Sequence, residues 1–450
     1  MKKLVLVSIV LVMMLALAVP MSSTSAQEKI KIDVWIAFSD YRLDWTQDVA
    51  AEFGELYPQF EVNVTGGYSY ETLFTQVAVA AEQGQLPAIV HFNEVSTQSA
   101  RDSGLFKSIA AALGDRTEIN GIQVDMDDFI PVVPAYYTLD GEFTSMPWNT
   151  SSAIMFSNMK FLNAAGFDAP PATWDEVEAV CEAVMALDDA PEYCFTFPNY
   201  GWFFEQWLAH QNALFVNNEN GRAGLATEVA WNNEAGLAIL QWLDDLAGKG
   251  YLYYSGAQGG DSWSTVDQAY STQQVAMAAY SSSDTTLYTQ MGVDGGFETV
   301  ASFLPYNDDT GWTGSLLGGG SLWLVDGLEP EVEDGALTFL LYLNNTENAA
   351  AWHQITGYIA IRNSSNEMLE AEGYFEEYPN QTVAAQQLSE SQNVVATAGA
   401  LLGPFPAVRN EVTAAIDRVL LTDEDPAAIL AAAAEASNTI IEEYNLLNAP

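Results

Sequence analysis

Apolar and polar residues alternate from Ile30 to Phe38, the period of a half-buried strand. From Tyr41 to Leu56 the period lengthens, and Leu43, Val49, Phe53 and Leu56 fall on one helical face. Phe60 to Val64 reads as a second strand, and Gly66 and Gly67 break it. Glu71 to Gln83 predicts a second helix, and Pro87 precedes a third strand, Ala88 to Phe92. This β-α-β-α-β order has crossovers long enough for parallel pairing, so it predicts half of an open, doubly wound sheet. Such sheets bind ligands beyond the carboxyl ends of their strands. Those ends are Ser39-Asp40, Gly66 to Tyr70 and Asn93-Glu94, which makes Tyr70 and Glu94 site candidates from topology. Glu94 reads equally well as a charge at a helix N-terminus.

Beyond Pro147-Trp148-Asn149-Thr150-Ser151 the strand-like run Ala153 to Phe156 opens a second α/β region. Thr173-Trp174-Asp175-Glu176 has the pattern of a capping box and starts a helix running to Leu187. Asn199 to Leu208 is rich in aromatics and contains Trp202 and Trp207. Val275 to Tyr280 is an apolar strand ending at Ser281-Ser282-Ser283-Asp284. Gly318-Gly319-Gly320 then leads into a short apolar strand, a helix capped near Thr346 and a Gly357-Tyr358 turn. A glycine triplet lets backbone approach a ligand closely. Pro426 to Asn445 is an Ala-rich terminal helix.

The N-terminus has the pattern of an export signal. Lys2 and Lys3 precede the apolar run Leu4 to Val19, and Thr24-Ser25-Ala26 offers small residues for cleavage after Ala26. The alternative, a membrane anchor, calls for a longer apolar run. The remaining ~424 residues suit two to three domains. The chain carries 60 acids and 14 bases. Removing Lys2 and Lys3 gives 12 − 60 = −48 for the exported form. Charged residues are 16% of the chain, below the usual ~25%, so bases are missing rather than acids added. Such a field disfavours nucleic acid and anionic membranes as partners. Cys181 and Cys194 form an even pair that an exported chain would join as a disulfide. His91, His210 and His353 have no metal-ligand spacing and read as core or surface residues, and no cofactor motif is present.

Enzyme signatures are absent: there is no Gly-x-Ser-x-Gly elbow, no phosphate-cradling Gly-x-x-x-x-Gly-Lys loop and no His-Glu-x-x-His. Paired carboxylates are too common among 60 acids to identify a glycosidase. Arginine is scarce, and Arg409 follows the glycine- and proline-marked break at Gly403-Pro404-Phe405-Pro406. It reads as a bidentate phosphate clamp or as an ordinary surface charge paired with one of the many acids.

Four segments resemble the extracytoplasmic solute-binding proteins of ABC importers, and within them the branch that binds sn-glycerol-3-phosphate and related glycerophosphodiesters. They are Gly67 to Thr97, Pro147 to Ser151, Gly318 to Trp323 with Asn348 to Tyr358, and Pro406 to Arg409. The resemblance implies an α/β chain of the two-lobed periplasmic-binding-protein type II fold, with its ligand cleft between the lobes. It implies a signal peptide over 1–26, lobe I over 27–147 plus 303–354, and lobe II over 148–302 plus 355–450. Carried over by position, the ligand contacts fall on Tyr70, Glu94, Ser151, Ser281, Gly319, Tyr358 and Arg409, with Trp202 on a looser match. On this reading Arg409, the three hydroxyls and the Gly319 amide hold a phosphate, and Glu94 faces glycerol hydroxyls at the other end. The implied protein is a monomeric, exported, non-catalytic receptor that delivers its ligand to membrane permease subunits. An uncharged oligosaccharide as ligand, or a secreted glycoside-acting enzyme, are the alternatives.

Overall fold

The computed structural model describes residues 28–448, so the segment read as an export signal lies outside the described residues. The chain opens with β1 (Ile30–Trp35), α1 (Tyr41–Leu56), β2 (Phe60–Thr65), α2 (Tyr70–Gln83) and β3 (Ile89–Asn93), each within a residue or two of its predicted bounds apart from the shorter β1. Strand β1 pairs in parallel with β2 on one side and β3 on the other. Caps explain the sharp helix starts. The Asp40 side chain accepts from the Arg42 amide, and Ser69 and Thr72 form a reciprocal capping box at the start of α2.

The chain then adds a short strand, β4 (Phe106–Lys107), and β5 (Met146–Ser151), before running directly into β6 (Ala153–Asn158). Residues β6, β7 (Tyr193–Thr196), β8 (Leu252–Tyr253), β9 (Val275–Ser281) and β10 (Thr299–Phe303) form a separate sheet in the order β8-β7-β9-β6-β10. The chain returns as β11 (Gly318–Val325), which inserts antiparallel beside β3, with β4 and β5 paired along its other edge. The first sheet is therefore mixed, not purely parallel as its opening segment implied. The antiparallel strand comes from more than 200 residues downstream, which no local period can announce.

Each sheet has apolar packing on both faces. Ile32, Val34, Ile89, Leu322 and Leu324 pack on one side of the first sheet, and Val90, Phe92 and Trp323 on the other. Met155, Phe195 and Met277 lie on one side of the second sheet, and Ile154, Phe156 and Ala278 on the other. This is the two-lobed α/β architecture. In the second lobe Cys181, on α3 (Trp174–Met185), is bonded to Cys194 on β7, with Cα atoms 5.3 Å apart. The expected disulfide is present.

The two sheets are linked at three places close together. Ser151 ends β5 in the first sheet and Ala153 starts β6 in the second. Residues 304–317 lead back from β10 to β11. After α5 (Thr346–Thr356), Gly357 turns the chain at φ +110° and the Ile359 amide donates to the Thr150 carbonyl at 2.8 Å. No described helix is long and apolar enough to cross a membrane.

Candidate functional site

These linking segments bring together several of the residues singled out from the sequence. Gly318 is the register partner of Ser151, and Gly319 that of Thr150. Ser281, at the end of β9, is the partner of Ala153. Tyr358 follows the Gly357 turn, and its ring stacks on Trp352 at 5.6 Å and 5°. The glycine triplet makes room chiefly for protein atoms. A Cβ on Gly318 would collide with the Trp202 indole, and one on Gly319, at φ +102°, with the Asn149 carbonyl. A Cβ on Gly320 would lie 2.6 Å from His91 Nε2. Trp202, on α4 (Trp202–His210), thus lies against β11, and its indole N–H has no partner among the described residues.

Two polar clusters occupy this region. In the first, Arg409 near the start of α6 (Phe405–Leu421) is 2% exposed, and its charge must be answered internally. Its Nε donates to Glu205 Oε1 at 2.6 Å, and Nη2 to Glu205 Oε2 at 2.8 Å and Glu94 Oε1 at 3.0 Å. Nη1 donates to the Tyr200 hydroxyl at 3.2 Å. A cation at a helix N-terminus is unfavourably placed against the helix dipole, and two carboxylates compensate. Gly201 allows the approach, because a Cβ there would lie 2.7 Å from the Arg409 side chain and carbonyl. Burial pushes the Glu94 and Glu205 carboxyls up, and Arg409 opposes that shift. Burial works against the charge of Arg409, yet Glu205, Tyr200 and Glu94 hold the guanidinium well above its ordinary value.

This arrangement bears on the expected division of ends. Arg409 was expected on the phosphate and Glu94 away from it, but the two are bonded to each other. All three guanidinium nitrogens of Arg409 are engaged, so it is not a lone cation waiting for an anion. Glu205 was missed, although it lies three residues after Trp202 on the same helix face. What hid it is its separation of 204 residues from Arg409.

The second cluster surrounds Tyr70 and Tyr358. Asn149 Nδ2 donates to the Tyr70 hydroxyl at 3.0 Å, and Asn149 Oδ1 lies 2.8 Å from His91 Nε2. The Tyr358 hydroxyl shares Asn149 and Ser283 as neighbours, and its ionisation, opposed by burial, is favoured by Arg42 and disfavoured by Asp284. Ser281 Oγ accepts from the Ser283 amide at 3.2 Å, and Ser283 Oγ donates to Asp284 at 2.6 Å. Burial pushes the His91 imidazole down to about 3, so it stays neutral as part of the wall. The other two histidines are buried as well, and no metal-ligating group occurs among the described residues. Of the eight sequence candidates, Glu94 and Arg409 stand in the first cluster. Tyr70, Ser281 and Tyr358 belong to the second, and Ser151, Gly319 and Trp202 lie on the β5–β11 seam. The arrangement offers carboxylate acceptors, hydroxyl and amide donors, and aromatic faces, the groups that hold a polar organic solute.

The chain belongs to the bacterial extracellular solute-binding proteins, whose family model matches residues 48–383. It is similar to the sn-glycerol-3-phosphate-binding periplasmic protein UgpB of Yersinia pestis bv. Antiqua, at 25% identity over 433 residues and 95% of each chain. The fold is similar to UgpB from Mycobacterium tuberculosis in complex with glycerophosphocholine, with TM-score 0.76, 18% identity, and 93% and 100% of the two chains covered. It is also similar to the cyclic alpha-maltosyl-1,6-maltose binding protein from Arthrobacter globiformis, with TM-score 0.71, 18% identity, and 92% and 100% covered. These likenesses make the two-lobed architecture that of the periplasmic-binding-protein type.

Proposed function

We propose that this chain is the exported receptor of an ABC importer, capturing sn-glycerol-3-phosphate or a glycerophosphodiester between its lobes. It hands the ligand to membrane permease subunits and makes or breaks no bond. The lobes are bounded at about 27–147 plus 303–354 and 148–302 plus 355–450, and ligand closes them by a hinge motion at the linking segments. The single observation that carries the reading is the gathering of Tyr70, Ser151, Ser281, Gly319 and Tyr358, from the ends of strands and helices, where the chain passes between lobes. On this reading they hold the phosphate. Glu94 and Arg409, acceptor and donor side by side, receive the glycerol hydroxyls, and Trp202 covers one face.

An uncharged oligosaccharide is the second reading. The observation favouring it is that Arg409 is already matched by two carboxylates, which leaves no surplus cation in that cluster. Calorimetry on residues 27–450 with glycerol-3-phosphate, glycerophosphocholine and maltose tests the choice. Binding of either phosphate ester without maltose is the expected result. Binding of maltose alone would sink the proposal.

A further inference from the structure

With Arg409 engaged, a phosphate in the second cluster needs another cation, and Arg42 stands there. It follows β1 at the carboxyl edge of the first sheet, in the first turn of α1. Its guanidinium carbon lies 4.7 Å from the centre of the Phe38 ring. That ring is 5.6 Å from Trp148 and 6.4 Å from Tyr358, so Arg42 borders the aromatic wall behind the second cluster. Asp40 holds it from one side: Nε donates to Oδ1 at 3.0 Å and Oδ2 at 3.1 Å, and Nη2 to Oδ2 at 2.5 Å. Asp40 is itself fixed by capping α1, accepting from the Arg42 amide at 3.0 Å. Nη1 has no hydrogen-bond partner among the described residues. Across from it, Asp284 is near enough for its charge to be felt at Arg42.

We infer that Arg42 is a specificity-determining residue, the cation that faces the anionic end of the ligand, positioned by Asp40 and presenting its Nη1 edge. The inference rests on the phosphate-ester reading above and names the group that makes it electrostatically workable. Asp284 would repel a phosphate, and Arg42, its charge shared with Asp40, sets a free N–H edge against that repulsion. The oriented guanidinium edge suits a phosphate oxygen, because Asp40 has already fixed its plane. A neutral sugar gains little from it.

The test is calorimetry of glycerol-3-phosphate binding to residues 27–450 at about 20 and about 200 mM salt, with wild type, Arg42→Gln and Arg42→Lys; exposed charge attraction weakens over that range. The expected result is a loss of roughly tenfold or more in the Gln variant, as for a hydrogen bond to a charged group. Its salt dependence should be flatter than wild type, and the Lys variant should be intermediate. Unchanged affinity in Arg42→Gln overturns the inference. So does a loss with an unchanged salt dependence, since that marks a structural role. If the Gln variant does not fold, Arg42→Lys tests the donor geometry instead, since it keeps the charge and loses the fork, and wild-type affinity in it overturns the inference. Wild-type protein that fails to bind any phosphate ester instead overturns the reading on which the inference rests, and the inference with it.

Discussion

His210 is buried with Nε2 2.9 Å from Ser315 Oγ, and burial pushes its imidazole down to about 3. Below its ordinary pKa of about 6.5 the unfolded chain takes up a proton that the native one refuses, so its contribution to stability is lost as pH falls toward 3. A His210→Gln variant lacks that loss. Its stability deficit against wild type should be constant above pH 6.5 and shrink by about 2 kcal/mol between pH 6.5 and 5, measured by urea unfolding. A deficit that does not change with pH would show that His210 takes up its proton in the folded state as well. Carboxyls pushed up by burial, such as Asp267 at about 6, act with the opposite sign but cancel in this comparison. At this scale the sequence revealed which residue types were rare or suggestive, Arg409 among them. It did not reveal their partners, because Glu94, Glu205 and Arg409 come from segments joined only by folding.

Strand β11 shows how far element-level reading reaches. Its apolar run and its glycines were legible, since both are local. Its place between β3 and β4, and the identity of what the glycines approach, were not. The triplet was read as room for a ligand, and the structure fills that room with Trp202, the Asn149 backbone and His91. Gly318→Ala should therefore act through Trp202. We expect a stability loss of about 1–3 kcal/mol, the usual cost of overpacking, together with a shifted tryptophan emission and weakened ligand binding. An alanine variant with wild-type stability and emission would mean that β11 can move away from α4 without strain. The helices were easier, because their period is local and, at Thr173, so is the cap.

Across the whole molecule the formal charge of −46 is the dominant electrostatic fact. Like charges repel most in the compact state, and salt screens them over about 10 Å at 0.1 M. Thermal unfolding at neutral pH should therefore shift upward as sodium chloride rises from about 0.02 to about 0.2 M. A midpoint that falls or stays flat would indicate that the ion pairs, such as Lys107–Glu333 and Arg116–Asp334, matter more than the general repulsion. By itself the sequence determined the α/β class, the opening parallel strands, the helix starts and the excess of acid. These follow from periodicity, local capping and composition, which act within a few residues or over the whole chain. Tertiary structure alone decided that β11 joins the first sheet, that Arg409 is matched by Glu205 and Glu94, and that Arg42 borders the Tyr358 cluster. The physical reason is that a buried charge is satisfied by whichever group the fold brings within hydrogen-bond reach, and that distance is not written in the spacing of residues.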